Sequence, residues 1–268
     1  MVYNTGETDE SLRNEYNPDG SMLRKVQMRL LEMLIYIDQV CQENKIDYQL
    51  NSGNVLGAIR HQGFIPWDDD IDIILTPKEY KRLCDYLYLH PHSQFKIQNH
   101  KTDRHYYRFW STLRDTKSEY VNDIYVDKFF KYKGLVIDIF PYENRVIGIF
   151  KRITVRLCNL NTKHLIGKHP LLANHLYNLQ EKILHPCFRL LGILFGKKDI
   201  FTFSYGIGFK SKARKEVLFP SKKLQFEGYS FNGPNSPIEY LQATYKNFMD
   251  LPPKDVRNNH KCGYKIWL

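Results

Sequence analysis

With 268 residues, 43% of them hydrophobic, the chain is long enough to bury one sizeable core, and a single large domain is expected. Its formal charge of +10 implies an anionic partner: nucleic acid, a lipid surface or a phosphorylated substrate. The five cysteines (Cys41, Cys84, Cys158, Cys187, Cys262) are scattered and form no Cys-x-x-Cys pair, which argues against zinc or redox motifs and for free thiols in a reducing compartment.

In chain order, residues 1–20 are polar, lack an apolar period and read as a flexible tail, without the basic start and apolar stretch of a secretory signal. From Ser21 to about Asn44, Leu23, Val26, Leu30, Leu34, Ile37 and Cys41 recur at three- and four-residue steps, which predicts an amphipathic helix. Tyr48–Leu50 reads as a short strand turning through Ser52-Gly53-Asn54 into a helix that carries Val55, Leu56 and Ile59. After the loop HQGFIPW, DIDIIL is a strand, and Pro77 fits the first turn of the helix PKEYKRLCDYLYL. Further strands are expected at QFKIQN, YYRFWSTLR and SEYVND, and a clear one at Gly134–Phe140, ended by Pro141.

From Arg145 to about Leu194 the pattern is helical and basic, and Arg145 to Lys223 holds sixteen Lys/Arg against three Asp/Glu. EYLQATYKNFMDLPP reads as a last helix closed by paired prolines. The most apolar stretch, ILHPCFRLLGILFG, is interrupted by His185, Pro186 and Arg189, so no spanning helix is expected and the location is read as cytoplasmic. Residues 21–268 therefore read as one domain of the α/β (α+β) class: a mixed sheet flanked by helices, with a helical second half.

Charge concentrates where it is least expected, in IPWDDDIDIIL. Alternate strand residues share a face, so Asp70 and Asp72 project together, their α-carbons about 6.6 Å apart, while Ile71, Ile73 and Leu75 enter the core. Two like charges at about 7 Å repel by roughly 2.4 kcal/mol at an effective dielectric near 20, and Asp68 and Asp69 add to that. Mg²⁺, or Mn²⁺ in its place, would compensate, since hard cations of this kind bind a few carboxylates together with substrate phosphates. Three plainer accounts compete. One is a solvated acidic turn, opposed by Trp67 before the run and Ile73-Ile74-Leu75 after it. Another is a calcium loop, opposed by Ile73 at the glycine place and by Pro77. The third is a structural ion network with Arg60 and other basic residues.

Ser52-Gly53 stands where a strand enters a helix, so Gly allows close backbone approach and the helix N-terminus offers N–H groups to a phosphate. Such a turn followed by an Asp-x-Asp strand is the layout of the nucleotidyltransferase fold, in which a neighbouring strand supplies a third carboxylate. Asp138, flanked by Val136, Ile137, Ile139 and Phe140, is the candidate, because a charge there is costly unless compensated. The alternative is an Asp capping local backbone at a strand end.

The segments LNSGNVLGAIRHQGFIPWDDDIDIILTPKEY, GLVIDIFPYE and FEGYSFNGPNSPIEYLQATYKNFMDLPP resemble the LicD family, whose relatives include the fukutin group of sugar-modifying transferases. The resemblance spans roughly residues 25–260; over 145–215 it rests only on helical, basic character. It implies a divergent nucleotidyltransferase fold that moves a phospho-alcohol, phosphocholine or an alditol phosphate, from a CDP-activated donor to a hydroxyl of a cell-surface or lipid-linked glycan. It implies Asp70, Asp72 and Asp138 as catalytic residues and Mg²⁺ ligands, and Ser52 and Gly53 as the phosphate-facing turn. Arg60, at the family's GAxR position, is assigned to donor phosphate or to orienting a carboxylate. His61 would contact phosphate or be a loop histidine without a role. Asp138 is the first choice as general base, ahead of Asp68 and Asp69. Two positions depart from the family pattern: the usual Gly-Thr is Gly53-Asn54, which bears on the donor pocket, and the usual Tyr-Gly is Tyr245-Lys246, which bears on a local helix contact.

The same three carboxylates would also serve ordinary nucleotidyl transfer onto a sugar or small molecule. A nucleic-acid-binding module built on the basic segment leaves the acidic strand unexplained, so nucleic acid is not expected as a partner. A catalytically inactive carbohydrate-binding relative is a further alternative. The basic helices themselves read either as a solvated face or as a contact with anionic lipid at the inner face of the membrane, which would suit a lipid-linked acceptor. Most of the nineteen Tyr and sixteen Phe are explained by packing, with one or two available to stack on a sugar or a quaternary ammonium.

Overall fold

Residues 3–121, 128–257 and 263–267 are described by a computed structural model, in which most local periodicities become elements where they were expected. The first difference is at the N-terminus. Instead of a loose tail, residues 3–20 carry α1 (Asp9–Tyr16), opened by a reciprocal Thr8/Ser11 capping box and held by the fully buried Leu12. Tyr3 is buried as well, and Glu7 pairs with Arg257 at 2.9 Å, so the segment is fastened to the far end of the chain.

α2 (Met22–Glu43) starts where the Ser21 hydroxyl accepts from the Arg24 N–H, and it buries Val26, Leu30, Leu34, Ile37 and Cys41 as the period requires. β1 (Gln49–Leu50) leads into α3 (Ser52–His61), and β2 (Ile71–Leu75) into α4 (Pro77–Leu89), with Thr76 as cap and Pro77 in the first turn. β3 (Phe95–Gln98), β4 (Ser111–Asp115) and β5 (Ser118–Val121) take the next three strand positions. The Asn122-Asp123 end of the third lies outside the described residues, as does Cys262; the other four cysteines are free thiols.

β6 (Val136–Asn144) runs through Pro141 rather than ending before it. β4 pairs with β6 up to Ile139, and β7 (Ile200–Phe203) takes over from Tyr142, so on that edge the proline falls between partners, where no ladder N–H is needed. The sheet order is β1-β2-β6-β4-β3, with β7 and then β8 (Lys212–Arg214) continuing from the end of β6. β2 and β6 are parallel and the other pairs antiparallel. One face carries Ile71, Ile73, Leu113, Ile137 and Ile139, all fully buried where α2 and α4 pack on the sheet. The opposite face carries the carboxylates.

The basic segment forms α5 (Gly148–Leu160), α6 (Pro170–Leu179) and α7 (His185–Phe195), with π-helical turns at Asn161–Leu165 and Gln180–Leu184, so that Pro170 to Phe195 is one uninterrupted rod. Beyond it the helical pattern gives way to β7, β8, the short α8 (Lys215–Leu218) and a hairpin of β9 (Lys222–Phe226) and β10 (Tyr229–Gly233) that packs on α3. α9 (Pro237–Tyr245) stops well before the paired prolines, at Lys246, whose φ of 54° is a left-handed backbone that Gly adopts at least cost. The departure from Tyr-Gly therefore places strain at a helix end. β11 (Gly263–Ile266) pairs with β5. The architecture is the expected α+β class, a mixed sheet flanked by helices.

Candidate active site

Asp72 on β2 stands directly beside Asp138 on β6, and Thr112 on β4 completes the row across the sheet. Neighbouring strands lie about 4.8 Å apart, so the two carboxylates share one face at close quarters. At about 5 Å their repulsion is on the order of 3 kcal/mol at an effective dielectric near 20. Burial, and then the negative charges of Asp70, Asp138 and Asp68, hold the Asp72 carboxyl well above the usual carboxylate range. The indole N–H of Trp110 donates to Asp138 Oδ1 at 2.9 Å and orients that carboxylate. Trp110 in turn forms an aromatic wall with Phe140 and Phe209, at ring distances of 5.4 and 6.4 Å.

The acidic strand is held in shape by a residue at one of the two departures from the family pattern. Asn54 Oδ1 accepts from the Asp72 N–H at 2.7 Å, and its Nδ2 donates to the Asp70 carbonyl at 3.0 Å, so one side chain closes the backbone between the two aspartates. The Asn51 N–H donates to the Asp72 carbonyl at 3.0 Å. Because Asn54 is buried, Asn54→Ala leaves the Asp72 N–H without its partner, and a loss of about 1–3 kcal/mol in urea unfolding is expected. A change within about 0.5 kcal/mol, the range of ordinary surface substitutions, would show that the clamp is dispensable.

The Ser52-Gly53 turn is fixed from α9. The Tyr240 hydroxyl accepts from the Ser52 N–H at 3.3 Å and donates to Asn51 Oδ1 at 2.6 Å, while Ser52 itself has φ 43°. A Cβ on Gly53 would lie 3.2 Å from Asp68 Oδ2, so glycine is what lets this carboxylate approach the turn. Burial raises the Tyr240 and Tyr245 hydroxyls, and the charges of Asp68 and Asp70 add to it at Tyr245. Asn54, Trp110 and Tyr240 were not singled out from the sequence as site residues. Asn54 had a local signal as a departure from the family pattern, and Tyr240 as a hydroxyl-bearing aromatic in the third segment of the resemblance; Trp110 had none.

Asp70, Asp72, Asp138, Ser52 and Gly53 are thus brought together, whereas Arg60 and His61 sit at the other end of α3, about 12 Å along its axis from Ser52. Arg60 Nη1 donates to the carbonyls of Phe248 and Asp250 at 3.0 and 3.3 Å, and its guanidinium lies 6.0 Å from the Trp67 ring. His61 Nδ1 contacts Asp9 Oδ1 at 2.7 Å and the Tyr3 hydroxyl at 3.0 Å. Burial, and then the Arg60 charge, lower the His61 pKa to about 4, so it is neutral at pH 7. The two residues brace the segments at Phe248–Asp250 and Tyr3–Asp9 against α3.

Among the described residues, no three His, Cys, Asp or Glu side chains are gathered tightly enough to form a complete metal site. Mg²⁺ does not require one, because it is commonly held by one or two carboxylates, with waters and substrate phosphates filling the other positions. Burial and the charges of Asp70, Asp138 and Asp68 all act against an ionised Asp72, and the Asp72–Asp138 pair fits such an ion.

The profile of the LicD/FKTN/FKRP nucleotidyltransferase domain matches residues 45–156, which include the turn, the acidic strand and Asp138. Over 275 aligned residues the chain is 27% identical to the lipopolysaccharide cholinephosphotransferase LicD of Haemophilus influenzae, covering 89% of this chain and 95% of that one. A 49-residue stretch is 43% identical to the uncharacterized proteins RP689 of Rickettsia prowazekii and RT0683 of Rickettsia typhi, covering 18% of this chain and 18% and 16% of theirs. The carboxylate row and its supporting turn lie inside the matched LicD/FKTN/FKRP domain, and the chain is similar to that lipopolysaccharide cholinephosphotransferase along most of its length.

Proposed function

We propose that the chain is a LicD-type phosphotransferase that moves phosphocholine, or a similar phospho-alcohol, from a CDP-activated donor to a glycan hydroxyl. The observation that carries this reading is the in-register pair Asp72 and Asp138 beside a helix-opening Ser52-Gly53 turn. Asp72 and Asp138, with Asp70 alongside, would hold Mg²⁺, which when bound supplies positive charge against the donor diphosphate. Tyr240 takes the Ser52 N–H and the Asn51 carbonyl takes that of Asn54, so of the groups that open α3 it is the Gly53 N–H that suits a phosphate oxygen. Trp110 and Phe209, packed on the buried Phe140, offer apolar surface beside Asp138 for the transferred alcohol, and the Arg108 guanidinium lies 5.2 Å from the Trp110 ring.

In the reaction the glycan hydroxyl oxygen attacks the phosphorus bearing the alcohol, the phosphoanhydride P–O bond breaks, and cytidine monophosphate leaves with the bridging oxygen. Asp138, oriented by Trp110, would take the hydroxyl proton on a carboxylate oxygen that the cation leaves free. The test is incubation of the purified protein with Mg²⁺, CDP-choline and a lipopolysaccharide acceptor. Cytidine monophosphate release with phosphocholine appearing on the glycan, both abolished by EDTA, is the expected result. Pyrophosphate released from a nucleoside triphosphate, with a nucleotide on the acceptor, would instead establish nucleotidyl transfer. Failure to release cytidine monophosphate from CDP-choline or from CDP-alditols would end the proposal.

A further inference from the structure

The rod from Pro170 to Phe195 turns toward solvent the side chains that a helix ordinarily buries. Leu172, Leu179, Ile183, Leu190, Leu194 and Phe195 are exposed one after another along the rod, which spans about 33 Å from Leu172 to Leu194. Leu172 is 54% exposed, Leu190 65% and Leu194 73%, and Leu171 and Phe195 at the two ends are exposed by 77% and 76%. Exposed apolar surface of this extent marks a contact.

The surrounding charge identifies the partner. From Gly148 to Lys198 nine Lys/Arg stand against a single carboxylate, Glu181. A second copy of the chain would bring the same positive field to the same face and be repelled, whereas an anionic bilayer has the opposite sign. Among the described residues no helix is long and apolar enough to cross a membrane, so such a contact lies along the surface. We propose that this rod is a membrane-seating face: its exposed apolar side chains enter the headgroup boundary of an anionic phospholipid bilayer, and the exposed Lys168, Lys182, Lys197 and Lys198 meet lipid phosphates.

The inference does not depend on the transferase reaction, and its test is flotation of the purified full chain with vesicles. Binding is expected to vesicles of phosphatidylcholine mixed with phosphatidylglycerol, and to weaken with salt. The double variant Leu190→Glu/Leu194→Glu should lose at least about tenfold in partitioning with an unchanged melting temperature and unchanged reaction with a soluble acceptor. Lys197→Gln and Lys198→Gln should each cost about fivefold on the anionic vesicles and little on phosphatidylcholine alone. The proposal is overturned if the native chain does not float or if the Leu variants float equally well. It is also overturned if sedimentation shows a dimer that the Leu variants convert to monomer, since a second copy would then cover the face.

Discussion

Asp72→Asn is expected to slow cytidine monophosphate release by about a hundred- to a thousandfold while raising the melting temperature of the metal-free protein at neutral pH. Opposite effects on activity and stability follow from one cause. The Asp72 carboxyl holds its proton more tightly in the folded chain than at its ordinary value of 3.8, because of burial and the charges of Asp70, Asp138 and Asp68. As pH rises above 3.8, the folded state therefore retains a proton that the unfolded state has released, and stability falls through that window. An amide at this position removes the charge and with it the loss. In EDTA the native protein should melt at progressively lower temperature from about pH 4 upward, and the variant should show a flatter profile. Each kcal/mol recovered corresponds to about 2–4 °C for a chain of this size. Mg²⁺ should raise the melting temperature of the native protein and leave the variant unmoved. Equal stabilisation of both by Mg²⁺, or a variant that melts lower in EDTA, would refute the assignment.

Glu227→Ala is expected to cost about 3–5 kcal/mol, the largest stability effect among the substitutions considered. Glu227 lies in the two-residue turn between β9 and β10, with φ 51° followed by Gly228 at 79°. Its carboxylate, 8% exposed, takes a 2.7 Å ion pair from Arg24 and a 3.1 Å hydrogen bond from the Phe64 N–H. Its own N–H donates to the Gln62 carbonyl at 2.8 Å. A Cβ on Gly63 would meet Glu227 Oε1 at 2.4 Å, so the glycine leaves the room the carboxylate occupies. The loop that delivers the acidic strand thus depends on one side chain from a distant hairpin, and its removal strands Arg24, itself only 14% exposed.

Burial pulls the Glu227 carboxyl up, but the hydrogen bond and charge of Arg24, with the Phe64 N–H, hold it below its ordinary 4.5. Its stabilisation is therefore complete above 4.5 and is lost as pH falls through the lower, folded value. Urea unfolding of the native protein and the variant should differ fully at pH 7, with the gap narrowing on acidification. A difference below about 1 kcal/mol at pH 7 would mean that water replaces the carboxylate without penalty.

The sequence by itself determined the local elements: α2, α3, β2, α4 and α5 to α7 lie where apolar period, caps and proline place them, because those signals act within a few residues. It implied that Asp70 and Asp72 act together, but β2 starts at Ile71, so the charge of Asp70 reaches Asp72 from the residue before the strand and not through the strand pleat. Only the tertiary structure decided that Asp138 is the immediate neighbour of Asp72, since register is set by pairing between strands far apart in the chain. Pro141 within β6 has the same origin, because which strand lies beside a proline is a property of the sheet. Docking of α1, the role of Tyr240 at the Ser52 turn and the distant placement of Arg60 and His61 were likewise decided by long-range contacts. The β9–β10 hairpin escaped notice because Glu-Gly is an uncommon pair for a turn that favours Asn-Gly, and Arg24 and Phe64, which hold Glu227 there, are remote in sequence.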